Sequence, residues 1–101
     1  MRVVVFFDLP VETAEQRRSY RRFRKFLIKS GFVMIQESVY TKITPNSTVA
    51  GAIAEKVRKN SAPKGLVQML IVTEKQFEKM EIIVGEAQST IIDSDERLVV
   101  L

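Results

Sequence analysis

The order of apolar and polar positions divides the chain into short segments of changing period. Residues 2–8 read RVVVFFD, an apolar run without alternation. Such a run predicts a strand apolar on both faces, central in a sheet that is covered on at least one side. Pro10 cannot join a ladder, so the strand stops near Asp8. Thr13-Ala-Glu-Gln16 has the spacing of a capping box, with Glu12 and Glu15 near the positive end of the helix dipole. The spacing predicts a helix over 14–30 that stops near Gly31. At about 100° per residue, Gln16, Ser19, Tyr20, Phe23, Phe26, Leu27 and Ser30 share one side. Arg18, Arg21, Arg22, Lys25 and Lys29 share the other, with Arg17 and Arg24 on a flank.

Residues 32–36 and 38–43 are rich in β-branched and aromatic side chains and predict two strands. The break at Gln36-Glu37 is a tight turn or a bulge. Pro45-Asn46-Ser47 opens a second helix over 47–60, with Val49, Ala52, Ile53 and Val57 inward. Residues 60–65, NSAPKG, are a turn cluster. Leu66 to Thr73 predicts another buried strand. Thr73-Glu-Lys-Gln76 is a second capping box, opening a short helix that ends near Met80. Beyond it, Ile82 to Val84 predicts a short strand, 86–90 a loop, and Arg97 to Leu101 a final apolar strand.

No repeat, linker or low-complexity tract interrupts this order, so residues 1–101 are expected to form a single domain. Strand, helix, strand, strand, helix, strand is the α+β, ferredoxin-like βαββαβ pattern, here with an extra C-terminal strand. That strand needs a ladder partner. It pairs within its own chain or, as expected here, is exchanged onto the edge of a second copy in a two-fold homodimer.

Charge changes the picture. The chain carries a net +4. Residues 1–50 hold 9 Lys/Arg against 4 Asp/Glu, a balance of +5, whereas residues 51–101 hold 7 against 8, a balance of −1. The basicity is therefore local, and its centre is the helix at 14–30. A row of five cations within about 100° of arc suits the regular charges of a duplex backbone. Arginine can grip a phosphate with two donors. No aromatic residue interleaves on that face, so binding is expected to ignore sequence and to weaken steeply with salt. The competing reading is an ordinary solvated helix face. Lys56, Arg58, Lys59 and Lys64 form a second basic cluster, which the dipole of the second helix explains in part.

Absences narrow the chemistry. The chain has no cysteine, which excludes disulfides and thiolate metal sites. It has no histidine, which removes Ser-His and Cys-His catalysis and the usual base near neutral pH. No apolar run approaches the ~18 residues of a membrane span, and no signal-peptide pattern opens the chain, so a cytoplasmic protein is expected. Asp8, at the end of the first strand, is the carboxylate best placed for chemistry. A strand-end Asp can equally cap a turn or pair with a nearby Arg.

Several stretches together resemble one family. They are Val4-Val-Phe-Phe-Asp8-Leu-Pro, Arg17-Arg18, Gly31-Phe-Val-Met-Ile-Gln36-Glu-Ser38-Val39-Tyr40 and Thr73-Glu-Lys-Gln-Phe77. In order and spacing they are similar to the second core adaptation protein of CRISPR systems, the small endoribonuclease-like partner of the CRISPR integrase. Phe-Arg-Lys-Phe-Leu at 23–27 and Ser-Asp-Glu-Arg-Leu-Val at 94–99 look most like the variety found with type II loci. The resemblance covers nearly the whole chain.

The resemblance implies a ferredoxin-like homodimer whose C-terminal strand extends the partner's sheet. It implies that Asp8 faces its mate across the two-fold axis with magnesium between them. Magnesium commonly takes one or two carboxylates and keeps several waters, so two Asp8 residues suit it better than one. With no histidine, water activated by that metal is the expected nucleophile in a nuclease acting on single-stranded RNA or duplex DNA. The resemblance equally implies a structural role, in which the dimer holds duplex DNA and bridges integrase dimers, with Arg17, Arg18, Arg21, Arg22, Lys25 and Lys29 as its contacts. Ser38 falls near the implied interface, where it orients a metal water or makes a turn hydrogen bond; Tyr40 is expected to pack. The acidic segment Asp93-Ser-Asp-Glu96 reads as a solvated approach to the last strand or as a docking point for the integrase. A third reading, a ferredoxin-like domain that binds a small metabolite and regulates an enzyme, is compatible with the fold, and the concentrated basic face counts against it.

Overall fold

In a computed structural model, which describes residues 1–86, the elements follow the expected order. They are β1 (Arg2–Asp8), α1 (Ala14–Lys29), β2 (Val33–Gln36), β3 (Val39–Ile43), α2 (Ser47–Lys59), β4 (Leu66–Val72) and α3 (Glu74–Glu78). The sheet order is β2-β3-β1-β4, every pair antiparallel. This is the ferredoxin-like arrangement, two βαβ units interleaved so that each places a strand between the other's. β1 is central, as its two-sided apolar pattern requires. Among the described residues, no helix is long and apolar enough to cross a membrane.

Local signals set the helix ends. Thr13 and Gln16 form the full capping box at the start of α1, and Thr73 and Gln76 repeat it at α3. The Asn46 side chain accepts from the Val49 amide to start α2. Both readings of the break after Gln36 hold. Ser38 takes a φ of 65° in a tight turn, and the register shifts between Met34 and Gln36.

Alternation along β1 builds two unlike faces. Val3, Val5 and Phe7 turn toward the helices and join Phe23, Leu27 and Tyr40 in the core. Phe7 is its hub: its ring lies 5.2 Å from Phe23, 5.6 Å from Tyr40 and 5.8 Å from Tyr20. Such offset and edge contacts add to area burial. Val4, Phe6 and Asp8 turn to the opposite face. There, among the described residues, only α3 lies over the sheet, held by Arg2. The Arg2 guanidinium donates to both Glu74 oxygens at 2.7 and 2.8 Å and stacks 3.9 Å from the Phe77 ring centroid.

Three sequence expectations need correction. α2 buries Ala50, Ala54 and Val57, with Ile53 half-buried, while Val49 and Ala52 are exposed. The stripe is rotated because small alanine methyls, not the larger valine, let the helix lie close on the sheet. β4 is not a buried strand: Leu66 and Leu70 are 54% and 53% exposed, because among the described residues β4 is an edge with an uncovered face. Ile82 to Val84 is not a strand but a bend without ladder partners among the described residues, with Ile83 and Val84 exposed. The predicted strand at 97–101, its exchange onto a second copy, and the acidic segment at 93–96 lie outside the described residues.

Candidate nucleic-acid interface and strand-end carboxylate

The cationic row of α1 is where its period puts it. Phe23 and Leu27 are buried beneath the helix, so Arg18, Arg21, Arg22, Lys25 and Lys29 stand on its outer side, all exposed. Among the described residues, no carboxylate pairs with any of the five, since the ion pairs are Arg2–Glu74 and Arg58–Glu55. Unpaired cations on one face repel each other and are relieved by an external polyanion.

Arg17 differs from its neighbours. Its guanidinium donates to the carbonyls of Val11 and Glu12 at 3.1 and 2.9 Å. It braces the turn that enters α1, a role the helical wheel does not show. In the second basic cluster, Arg58 is paired with Glu55 at 2.8 Å. Lys56 and Lys59 sit in the last turn of α2, where the dipole favours them. Lys64 instead lies across a cleft from α1, whose walls it shares with Arg22.

Asp8 is the last residue of β1 and is exposed. Neither structural partner expected for it is supplied by the described residues. The Glu12 and Thr13 amides donate to the Gln16 side chain, the Gln16 amide donates to Thr13, and Arg17 is occupied with Val11 and Glu12. The carboxylate faces water on the uncovered side of the sheet, whereas the cationic row is on the far side of the helix layer. The two candidate sites are therefore separate surfaces. Among the described residues, no group of three or more acidic side chains could hold a metal ion. One Asp8 is a single-carboxylate site; magnesium would need the Asp8 of a second copy, or substrate phosphate, to complete it.

Ser38 acts through its backbone, its carbonyl accepting from the Phe7 amide at 3.0 Å. Tyr40 is buried in the core, as expected. Two features escaped the sequence pattern. Gly65 has a φ of +100°, and a Cβ there would lie 2.8 Å from the Asp8 carbonyl oxygen. The Ser19 hydroxyl is buried without a hydrogen-bond partner among the described residues. The turn cluster at 60–65 hinted at the first; nothing local pointed to the second.

The sheet face left uncovered among the described residues is apolar. Val4, Phe6, Val39, Leu70 and Val72 line a shallow groove of about 370 Å³ roofed at one end by Phe77 and Met80.

Residues 1–80 match the family described as CRISPR associated protein Cas2. The chain is 57% identical over 101 residues to a CRISPR-associated endoribonuclease Cas2 of Treponema denticola, covering both chains in full. It is 46% identical to one of Streptococcus mutans, covering all of this chain and 93% of that one. The crystal structure of Streptococcus pyogenes Cas2 at pH 6.5 superposes with a TM-score of 0.58 at 21% identity, covering 83% of this chain and 100% of the other, a likeness of fold.

Proposed function

The chain belongs to the Cas2 family, and from that membership we propose that it is a CRISPR adaptation protein acting in the cytoplasm as a homodimer. The dimer holds duplex DNA without reading its sequence and bridges integrase dimers while new spacers enter the CRISPR array. The observation that carries this reading is the row of five exposed cations on α1, unpaired among the described residues. A second copy doubles that row. The uncovered apolar sheet face supports the dimer, because a patch of this kind is rarely left in water. The test is duplex binding at two salt concentrations, with wild type and an Arg18→Glu/Arg22→Glu variant. Binding that falls with salt and is weakened by the reversals supports the reading; unchanged affinity in the variant rejects this face.

A second reading is favoured by Asp8, exposed on the same uncovered face without a partner among the described residues, and by the word endoribonuclease in the relatives' names. Two copies packed through that face would bring their Asp8 carboxylates toward one another. The pair would hold magnesium, which supplies Lewis acidity for phosphodiester hydrolysis. The test is cleavage of labelled single-stranded RNA and duplex DNA, with and without magnesium, by wild type and Asp8→Asn purified identically. Cleavage by wild type alone supports a working nuclease; equal cleavage by both proteins rejects Asp8.

A further inference from the structure

The cationic row of α1 runs into a cleft of about 390 Å³ between the start of the helix and the turn at 62–64. Its apolar walls are Leu9, Pro10, Ala62 and Pro63. Its cations are Arg22, which also belongs to the row, and Lys64, which does not. Glu15 is the single acidic residue among those lining it. Ser19 lines it as well, and the hydroxyl that lacks a partner among the described residues is this one. Gln16 uses its side-chain oxygen to accept from the Glu12 and Thr13 amides, which leaves its NH₂ group as a donor.

We propose that this cleft is a subsite for one unpaired nucleotide of the bound nucleic acid. The inference rests on the duplex-binding reading and specifies what happens at one end of the row. Size supports it: the volume is at the small end of the ~300–1,000 Å³ range of small-ligand sites, enough for a nucleotide and too little for a base pair. Chemistry supports it too. Apolar walls with a few placed polar groups suit the faces and edge of a base. An arginine and a lysine facing each other across the cleft suit its phosphate. Arg22 joins the two surfaces, so a strand tracked along Arg18 and Arg22 meets the cleft next. The Ser19 hydroxyl is buried in the wall, and a turn of its side chain about the Cα–Cβ bond would bring it to a base edge and give it the partner it lacks. A free nucleoside monophosphate has the same chemistry as a strand end.

The experiment compares one duplex in two forms, blunt and with a single-nucleotide 5′-phosphorylated overhang, by fluorescence anisotropy. Wild type should bind the overhang form at least fivefold more tightly. Lys64→Ala should bring that ratio near one. Ser19→Ala should lower the ratio as well, with no loss of thermal stability, because it removes an unsatisfied hydroxyl. Equal affinity for the two duplexes, or a ratio unchanged in both variants, overturns the cleft while leaving the cationic row intact. Failure to bind either duplex overturns both readings. Competition with adenosine monophosphate separates the sources. A ratio erased by it makes the free nucleotide a ligand too, and a ratio that survives assigns the cleft to the strand end.

Discussion

The carbonyl oxygen of Asp8 lies 2.8 Å from the point where a Cβ on Gly65 would stand. Asp8 pairs with Leu66 in the ladder of β1 and β4, so the chain must enter β4 by passing directly over the end of β1. Glycine allows the close approach and the left-handed φ of +100° together. Gly65→Ala meets both obstacles and should cost about 1–3 kcal/mol in urea unfolding. Gly51 gives the contrast. It lies within α2, and a methyl added there would meet nothing within 4 Å, so Gly51→Ala should stabilise by about 1 kcal/mol.

The Arg18→Glu/Arg22→Glu variant should show a shallower dependence of duplex affinity on salt. Each lost phosphate contact lowers the slope of log K against log salt by ~0.9, so the pair should lower it by about 2 per copy. Arg17→Ala should behave differently. Its guanidinium holds the Val11 and Glu12 carbonyls, so thermal stability should fall by about 1 kcal/mol in equivalent free energy with little change of slope.

Glu74 titrates with folding. The hydrogen bond from Arg2 is the main cause holding its carboxyl below the ordinary value of 4.5. The unfolded chain regains that ordinary value and so binds the proton more readily. The stabilisation is therefore complete above about pH 4.5 and is lost as pH falls through the lower folded value. Urea denaturation of wild type and Glu74→Gln across a pH series should show the variant less stable at neutral pH. The gap should close in acid.

Phe7→Ala should be the most damaging single change near the site. It empties the centre of the Tyr20, Phe23 and Tyr40 ring contacts. The cost should be about 3–5 kcal/mol, a large part of the 5–15 kcal/mol typical of a domain. Circular dichroism during urea unfolding would measure it. Because Phe7 packs against Phe23 of α1 and precedes Asp8, duplex binding and any cleavage should weaken together in this variant as the fold weakens.

The strand of β1, both capping boxes, the turn after Gln36 and the cationic side of α1 are all legible in the sequence. Each rests on residues within a few positions of one another, where period and hydrogen-bond spacing are set by local geometry. The differences share another origin. Hydrophobicity points Val49 inward, but closeness of packing selects Ala50 and Ala54. Leu66 and Leu70 read as buried because an apolar strand cannot announce which of its faces the helices will cover.

The amino-acid order by itself determined the elements from β1 to α3, their sequence and the concentration of positive charge on one helix. Tertiary structure decided what those elements bring together. It set Gly65 against Asp8, gave Arg17 a bracing role at the entry to α1, placed Lys64 across a cleft from Arg22, and left Asp8 on the side of the sheet uncovered among the described residues. Most of these relationships join positions tens of residues apart. Such proximity depends on the register of β1 against β4 and on which face of the sheet is buried, and both are settled by packing of the whole domain.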